Sequence, residues 1–150
     1  MMSTRNLELA VVGHVEWVSF ISVDNMPTQG LINHGKKIKD HAAGGGAVSA
    51  FQMSRLTNNK VHFFTSLGKD EIGERCAKEL RSLGIEMHIA WREKPTRRGF
   101  SFVDSNGDRA ITVIGERLEP NINDPLNWEL LNTVDGVFTV SYTHLRAHET

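Results

Sequence analysis

Three consecutive glycines, Gly44, Gly45 and Gly46, run directly into Ala47-Val48-Ser49-Ala50-Phe51-Gln52-Met53-Ser54-Arg55-Leu56, a segment of helical composition. No other feature constrains the fold as much. Without Cβ atoms the backbone turns tightly and lets another group approach the main chain closely. A helix starting there offers its first N–H groups and the positive end of its dipole, which suit polar or anionic ligand atoms. A glycine-rich hinge with no ligand satisfies the same pattern, so the surrounding sequence has to decide between the two.

The chain of 150 residues is of single-domain size. Its 17 Lys and Arg against 18 Asp and Glu give a near-neutral balance, which argues against a dedicated nucleic-acid binder and points to a small uncharged or weakly charged partner. Cys76 is the only cysteine; it excludes an intramolecular disulfide and a cysteine-built zinc site, and fits a reducing, cytoplasmic setting. The apolar run Leu7 to Val12 is too short for a signal-peptide core or a membrane span, so no membrane partner is expected.

That run, closed by Gly13, reads as a buried parallel strand. Ligands sit beyond the carboxyl ends of such strands, which makes His14, Glu16 and Trp17 candidates for contact. Glu16 is preferred because a carboxylate accepts hydrogen bonds from hydroxyls; a solvated strand-end glutamate is the plain alternative. From Trp17 to His41, turn signals and a lysine-rich stretch predict two short strands projecting as a flap over the glycines. After them, Ala47, Ala50, Phe51 and Ser54 share a helical face, and Val61 to Leu67 reads as a second buried strand. Asp70 opens a helix whose Ile72, Cys76, Leu80 and Leu83 form one stripe, with Gly84 as its stop and Cys76 in the core.

Strand and helix in alternation predict an α/β fold with a parallel sheet. Ile85 to Trp91, Arg97 to Val103 and Arg109 to Ile114 are three further strand-like runs, the last two joined across an Asn-Gly hairpin signal. With the flap pair they are expected to form a small antiparallel sheet, in which Arg97, Gly99 and Ser101 share the face that meets a ligand. Pro120 to Trp128 reads as scaffold. Trp128, Leu131 and Val134 predict a short amphipathic helix with Trp128 in the core, before a last core strand from Gly136 to Val140.

Across roughly residues 7 to 140 these features resemble the ribokinase-like (PfkB-type) carbohydrate kinases. Gly44-Gly45-Gly46-Ala47-Val48-Ser49 resembles that family's first signature, Gly68-Lys69-Asp70-Glu71-Ile72-Gly73 its Gly-x-Asp-x-x-Gly element, and Thr96 through Arg109 its lid hairpin. The resemblance implies ATP-dependent phosphate transfer, with Mg2+, to a hydroxyl of a sugar or nucleoside. It implies a ribokinase-like parallel core (about 7–16, 43–84 and 118–140), here truncated, and a small antiparallel β lid (about 17–40 and 85–115). Acceptor contacts are expected from Glu16, Gly44, Gly45, Gly46, Ser49 and Arg97. Arg97 also hints at an acidic or phosphorylated sugar, an exposed strand arginine being the commoner explanation.

Departures from the family pattern shape the expectation. Ser49 stands where an asparagine is common, Val18 falls at or near the usual acidic position, and Glu16 lies two residues earlier. No Gly-Ala-Gly-Asp segment, the family's base and anion hole, occurs in the chain. No catalytic, cofactor-binding or metal residue is therefore assigned, and neither turnover nor good ATP binding is expected of the chain alone. Residues 141–150 resemble a non-native, adapter-derived tail whose His144 and His148 lack a third ligand; His34 and His41 are no better placed. Two other readings stay open: a dinucleotide-binding Rossmann-type enzyme, and a non-catalytic association module, with a homodimer formed through exposed lid strands.

Overall fold

The computed structural model describes residues 6–140. Two four-stranded sheets organise them. The first is parallel, in the order β5-β4-β1-β8, from β1 (Glu8–Val12), β4 (Lys60–Gly68), β5 (Glu86–Arg92) and β8 (Gly136–Thr139). Its centre is β4, buried at every position after Lys60, as expected of a continuous apolar run covered on both faces.

Two helices cover one face. Helix α1 (Gly45–Thr57) lays Ala47 and Ala50 against Val11, Val61 and Phe63; α2 (Glu71–Ser82) adds Cys76, Ala77 and Leu80. Small residues let α1 lie close to the strands. Asn58, at φ 52°, ends α1, as its position after the helical run predicts. Asp70 caps α2 by accepting from the Gly73 N–H at 2.7 Å, with Glu71 and Glu74 in the first turn. Cys76 is fully buried, and that burial first, then the nearby Glu79 and Asp70 charges, push its thiol up to about 12, so it behaves as core.

The opposite face carries Ala10, His62 and Phe64, and the segment leading to β8 crosses it. Trp128 stacks on Phe64 at 5.2 Å, and Arg92 grips the Asp124 carboxylate through two contacts of 2.5 and 2.7 Å. The amphipathic helix expected here shortens to a 3-10 turn, Trp128–Asn132, none of whose residues is buried. Trp128 is half-buried packing over the sheet.

The second sheet, in the order β3-β2-β6-β7, is built from β2 (Glu16–Ser22), β3 (Lys37–Ala43), β6 (Arg98–Val103) and β7 (Arg109–Ile114). Three expectations are corrected. The last strand, β8, joins the core sheet only at its edge and is mostly exposed there, Val137 and Phe138 included. The strand from Glu86 belongs to the core, paired in parallel with β4, and not to the lid. The lid sheet is mixed, because β2 pairs with β6 in parallel. The reason is geometric: β2 follows β1 and β6 follows β5, so both leave the carboxyl ends of parallel strands and run in the same sense. The β6–β7 hairpin is antiparallel, as its turn predicts, with Gly107 at φ +85° and Asp104 accepting from the Asn106 and Asp108 N–H groups at 2.9 and 3.0 Å.

Candidate functional site

The two sheets meet at the carboxyl end of β1, where open α/β sheets bind ligands. Gly13 leaves the core sheet there, donating to the Phe64 carbonyl at 3.1 Å, and His14 and Val15 lead into β2. The start of α1 docks on this link. Gly44 sits at φ 90°, accessible mainly to glycine, and a Cβ on Gly46 would lie 2.7 Å from the His14 carbonyl oxygen. The glycine run is thus explained first by close packing of helix on strand.

That docking occupies helix donors. The Gly45 N–H donates to His14 Nε2 at 3.1 Å, and the Gly46 N–H to the His14 carbonyl at 3.1 Å. An Nε2 that accepts places the proton of the neutral ring on Nδ1, which is buried and has no protein partner among the described residues. Burial, reinforced by the Arg117 and Arg97 charges, lowers the His14 pKa to about 4. The imidazole is therefore neutral at pH 7.

Glu16 opens β2 beside the glycines, its register partner in β3 being Ala43. Arg97 Nε lies 3.0 Å from Glu16 Oε2, and the two side chains are only 16% and 18% exposed. The contact is ionic, since its alignment falls short of a hydrogen bond. An ionised carboxylate has about four lone-pair directions, so one cation leaves room for hydroxyl donors. Ser49 projects from the first turn of α1 and donates to the Gly45 carbonyl at 2.7 Å. The fold therefore brings Glu16 and Arg97 into contact next to Gly44, while Ser49 is held by its own helix. Val18 is buried against Gly99.

A second cluster fixes where Arg97 stands. Thr96 donates its N–H to Asp70 Oδ2 at 2.7 Å and its hydroxyl to Asp70 Oδ1 at 2.8 Å, while the Gly68 N–H donates to the Thr96 hydroxyl at 2.9 Å. Burial pushes the Asp70 carboxyl up, but the donors from Thr96 and Gly73 outweigh it and hold it below the usual carboxylate range. Gly68 and Gly73 admit no side chain: an added Cβ would lie 2.4 Å from the Lys94 carbonyl at the first and 2.2 Å from the Gly68 carbonyl at the second. The Gly-x-Asp-x-x-Gly element is thus a clamp tying the end of β4 and the start of α2 to the base of the lid. Sequence reading placed Thr96 only as the start of a hairpin; its pairing with Asp70 had no local signal.

Lys37 to Ala43, just before the glycines, form an exposed lid strand. A Rossmann fingerprint needs a buried parallel strand in that place. His34 and His41 lie apart from this site, with His41 Nδ1 on Glu79 at 2.7 Å, and His144 and His148 fall outside the described residues. No helix among the described residues is long and apolar enough to cross a membrane.

The pfkB family carbohydrate kinase profile matches residues 6–142. A ribokinase of Dictyostelium discoideum is 34% identical over 121 residues, which are 79% of this chain and 36% of that protein, so the chain spans about a third of the length of this curated relative. In fold, the chain is similar to the ribokinase of Cryptococcus neoformans in complex with ADP (TM-score 0.68, 19% identity, 90% of this chain and 42% of that one). It is also similar to the Arabidopsis thaliana ribokinase complexed with ribose and ATP (TM-score 0.57, 23% identity, 73% and 36%). With sequence profile, curated relative and fold in agreement, the chain belongs to the pfkB family of carbohydrate kinases.

Proposed function

We propose that this chain forms the acceptor-binding and lid half of an ATP-dependent carbohydrate or nucleoside kinase, which transfers phosphate to a substrate hydroxyl. The observation that carries the reading is the Glu16–Arg97 pair, set beside the glycine start of α1 where the core sheet passes into the lid. In this role Glu16 and Ser49 accept from acceptor hydroxyls, Arg97 orients Glu16 and donates to acceptor oxygens, and Gly44, Gly45 and Gly46 let the start of α1 close on His14 so that Ser49 and Glu16 stand at one site. The Nδ1–H of His14 supplies one further buried donor.

ATP and Mg2+ belong to the family reaction, but the starts of α1 and α2 do not suit the phosphates of a nucleoside triphosphate. Two of the first N–H groups of α1 are taken by His14, and the start of α2 carries the Asp70 carboxylate, which repels an anion. The chain alone is proposed to be inactive. Titrating ribose and a panel of other sugars and nucleosides by calorimetry tests the reading. Binding of at least one, weakened by both Glu16→Gln and Arg97→Met without ATP consumption, is expected; no binding, or binding indifferent to both changes, overturns it.

A second reading rests on β7, exposed along its whole length and presenting Ile111, Val113 and Ile114 at the sheet edge. Such an edge pairs readily with another strand, here that of a second copy. Sedimentation across a concentration series distinguishes the dimer from a monomer.

A further inference from the structure

Away from the acceptor site, at the amino ends of the core strands, the sheet brings together groups far apart in sequence. The parallel register sets His62 of β4 beside Glu86 of β5, with Phe64 and His88 paired two residues on. We propose that His62, Glu86 and His88 form a binding site for one divalent transition-metal ion of the zinc class.

The donor atoms of the three residues lie within 4.8 Å of one another. His62 Nδ1 is 3.1 Å from His88 Nε2 and 3.8 Å from Glu86 Oε2. A tetrahedral zinc ion with bonds of about 2.0–2.1 Å holds its ligand atoms roughly 3.3 Å apart, so a small rotation of the exposed Glu86 side chain completes the geometry.

Two imidazoles and a carboxylate suit such an ion and leave a fourth position for water. Both rings are held in place. His62 is 2% exposed, and its Nε2 faces Glu8 Oε2 at 3.4 Å from the neighbouring strand β1. A carboxylate there accepts a hydrogen bond from Nε2–H, which fixes the tautomer and aims the Nδ1 lone pair at the other two donors, the carboxylate–histidine–metal arrangement. The His88 ring stacks flat on Phe64, 4.4 Å between centroids and 8° between planes.

Without a metal, the His88 Nε2–H shares its proton with His62 Nδ1, and Lys60 Nζ, 3.0 Å from Glu86 Oε2, compensates the carboxylate. The ion takes the place of both. Glu86, 48% exposed, gives it access from solvent.

The test titrates the whole 150-residue chain with Zn2+ by calorimetry and with Co2+ by visible absorption. One ion per chain is expected, with the intense absorption of four-coordinate Co2+. His88→Ala and Glu86→Gln should each abolish equimolar binding, and Glu8→Gln should weaken it about ten- to a hundredfold, all with far-ultraviolet circular dichroism unchanged. The His144→Ala, His148→Ala double variant should bind as the unaltered chain does. Absence of binding, wild-type affinity in Glu86→Gln or His88→Ala, or loss in the double variant overturns the proposal. Should His88→Ala unfold the chain, Glu86→Gln decides the matter alone, because that side chain is half-exposed and its loss leaves the core intact.

Discussion

The two sheets are built from similar residues and live in different surroundings. In the core, Val61, Phe63, Phe64 and Leu67 are fully buried between helices on one face and the segment before β8 on the other. In the lid, every residue of β7 is exposed, Ile111 by 55%, and Ile38 of β3 by 62%. The apolar pattern is thus used twice. In one sheet it supplies hydrophobic stabilisation; in the other it stays at the surface.

The largest contrast to test is truncation in the core. Phe63→Ala should lower unfolding free energy by about 3–5 kcal/mol, read by urea denaturation. A loss below about 1 kcal/mol would show that α1 and α2 do not pack on β4 as described.

At the joint between the sheets the expected effect is intermediate and depends on pH. The folded pKa of His14, about 4, lies below its ordinary value of 6.5, so the unfolded chain binds more protons between those values. Stability is complete above pH 6.5 and falls as the pH drops towards 4. Discounted for solvent screening, the loss is about 2 kcal/mol. His14→Asn, which keeps an acceptor for the Gly45 N–H without titrating, should flatten that part of the profile; an unchanged slope would sink the assignment.

The smallest effect belongs to the lid. Ile111→Ser should change monomer stability by less than about 0.5 kcal/mol. A cost above about 2 kcal/mol at low concentration would mean that β7 is covered within the monomer, which would erase the contrast.

These differences also explain what was legible in the sequence. β1, β4 and α2 announce themselves because their burial imposes a local pattern, an apolar run in β4 and the stripe through Cys76 and Leu80 in α2, whereas Leu83, expected on that stripe, lies past the helix end and is exposed. The place of β5 was not legible: its half-buried pattern differs little from that of β6, and only its pairing with β4 makes it core. The parallel pairing of β2 with β6 follows from the exits of two core strands, a fact of topology. Within the site, Glu16 and Arg97 were each legible as polar residues near strand ends. Their contact was not, and neither were the bond from Gly45 to His14 and the meeting of His62 with His88 across two strands.

The clamp at Thr96 fastens the second sheet to the core at one border. The chain passes between core and lid at the links β1 to β2, β3 to α1, β5 to β6 and onward from β7. Positive-φ glycines, Gly44 and Gly115, occupy two of these four passages, and the one from β5 to β6 is pinned by Thr96 against Asp70 and Gly68. Glu16, which opens β2, and Arg97, just before β6, therefore stand at the fastened border of this sheet, whereas the Asp104–Asp108 turn stands at its far end.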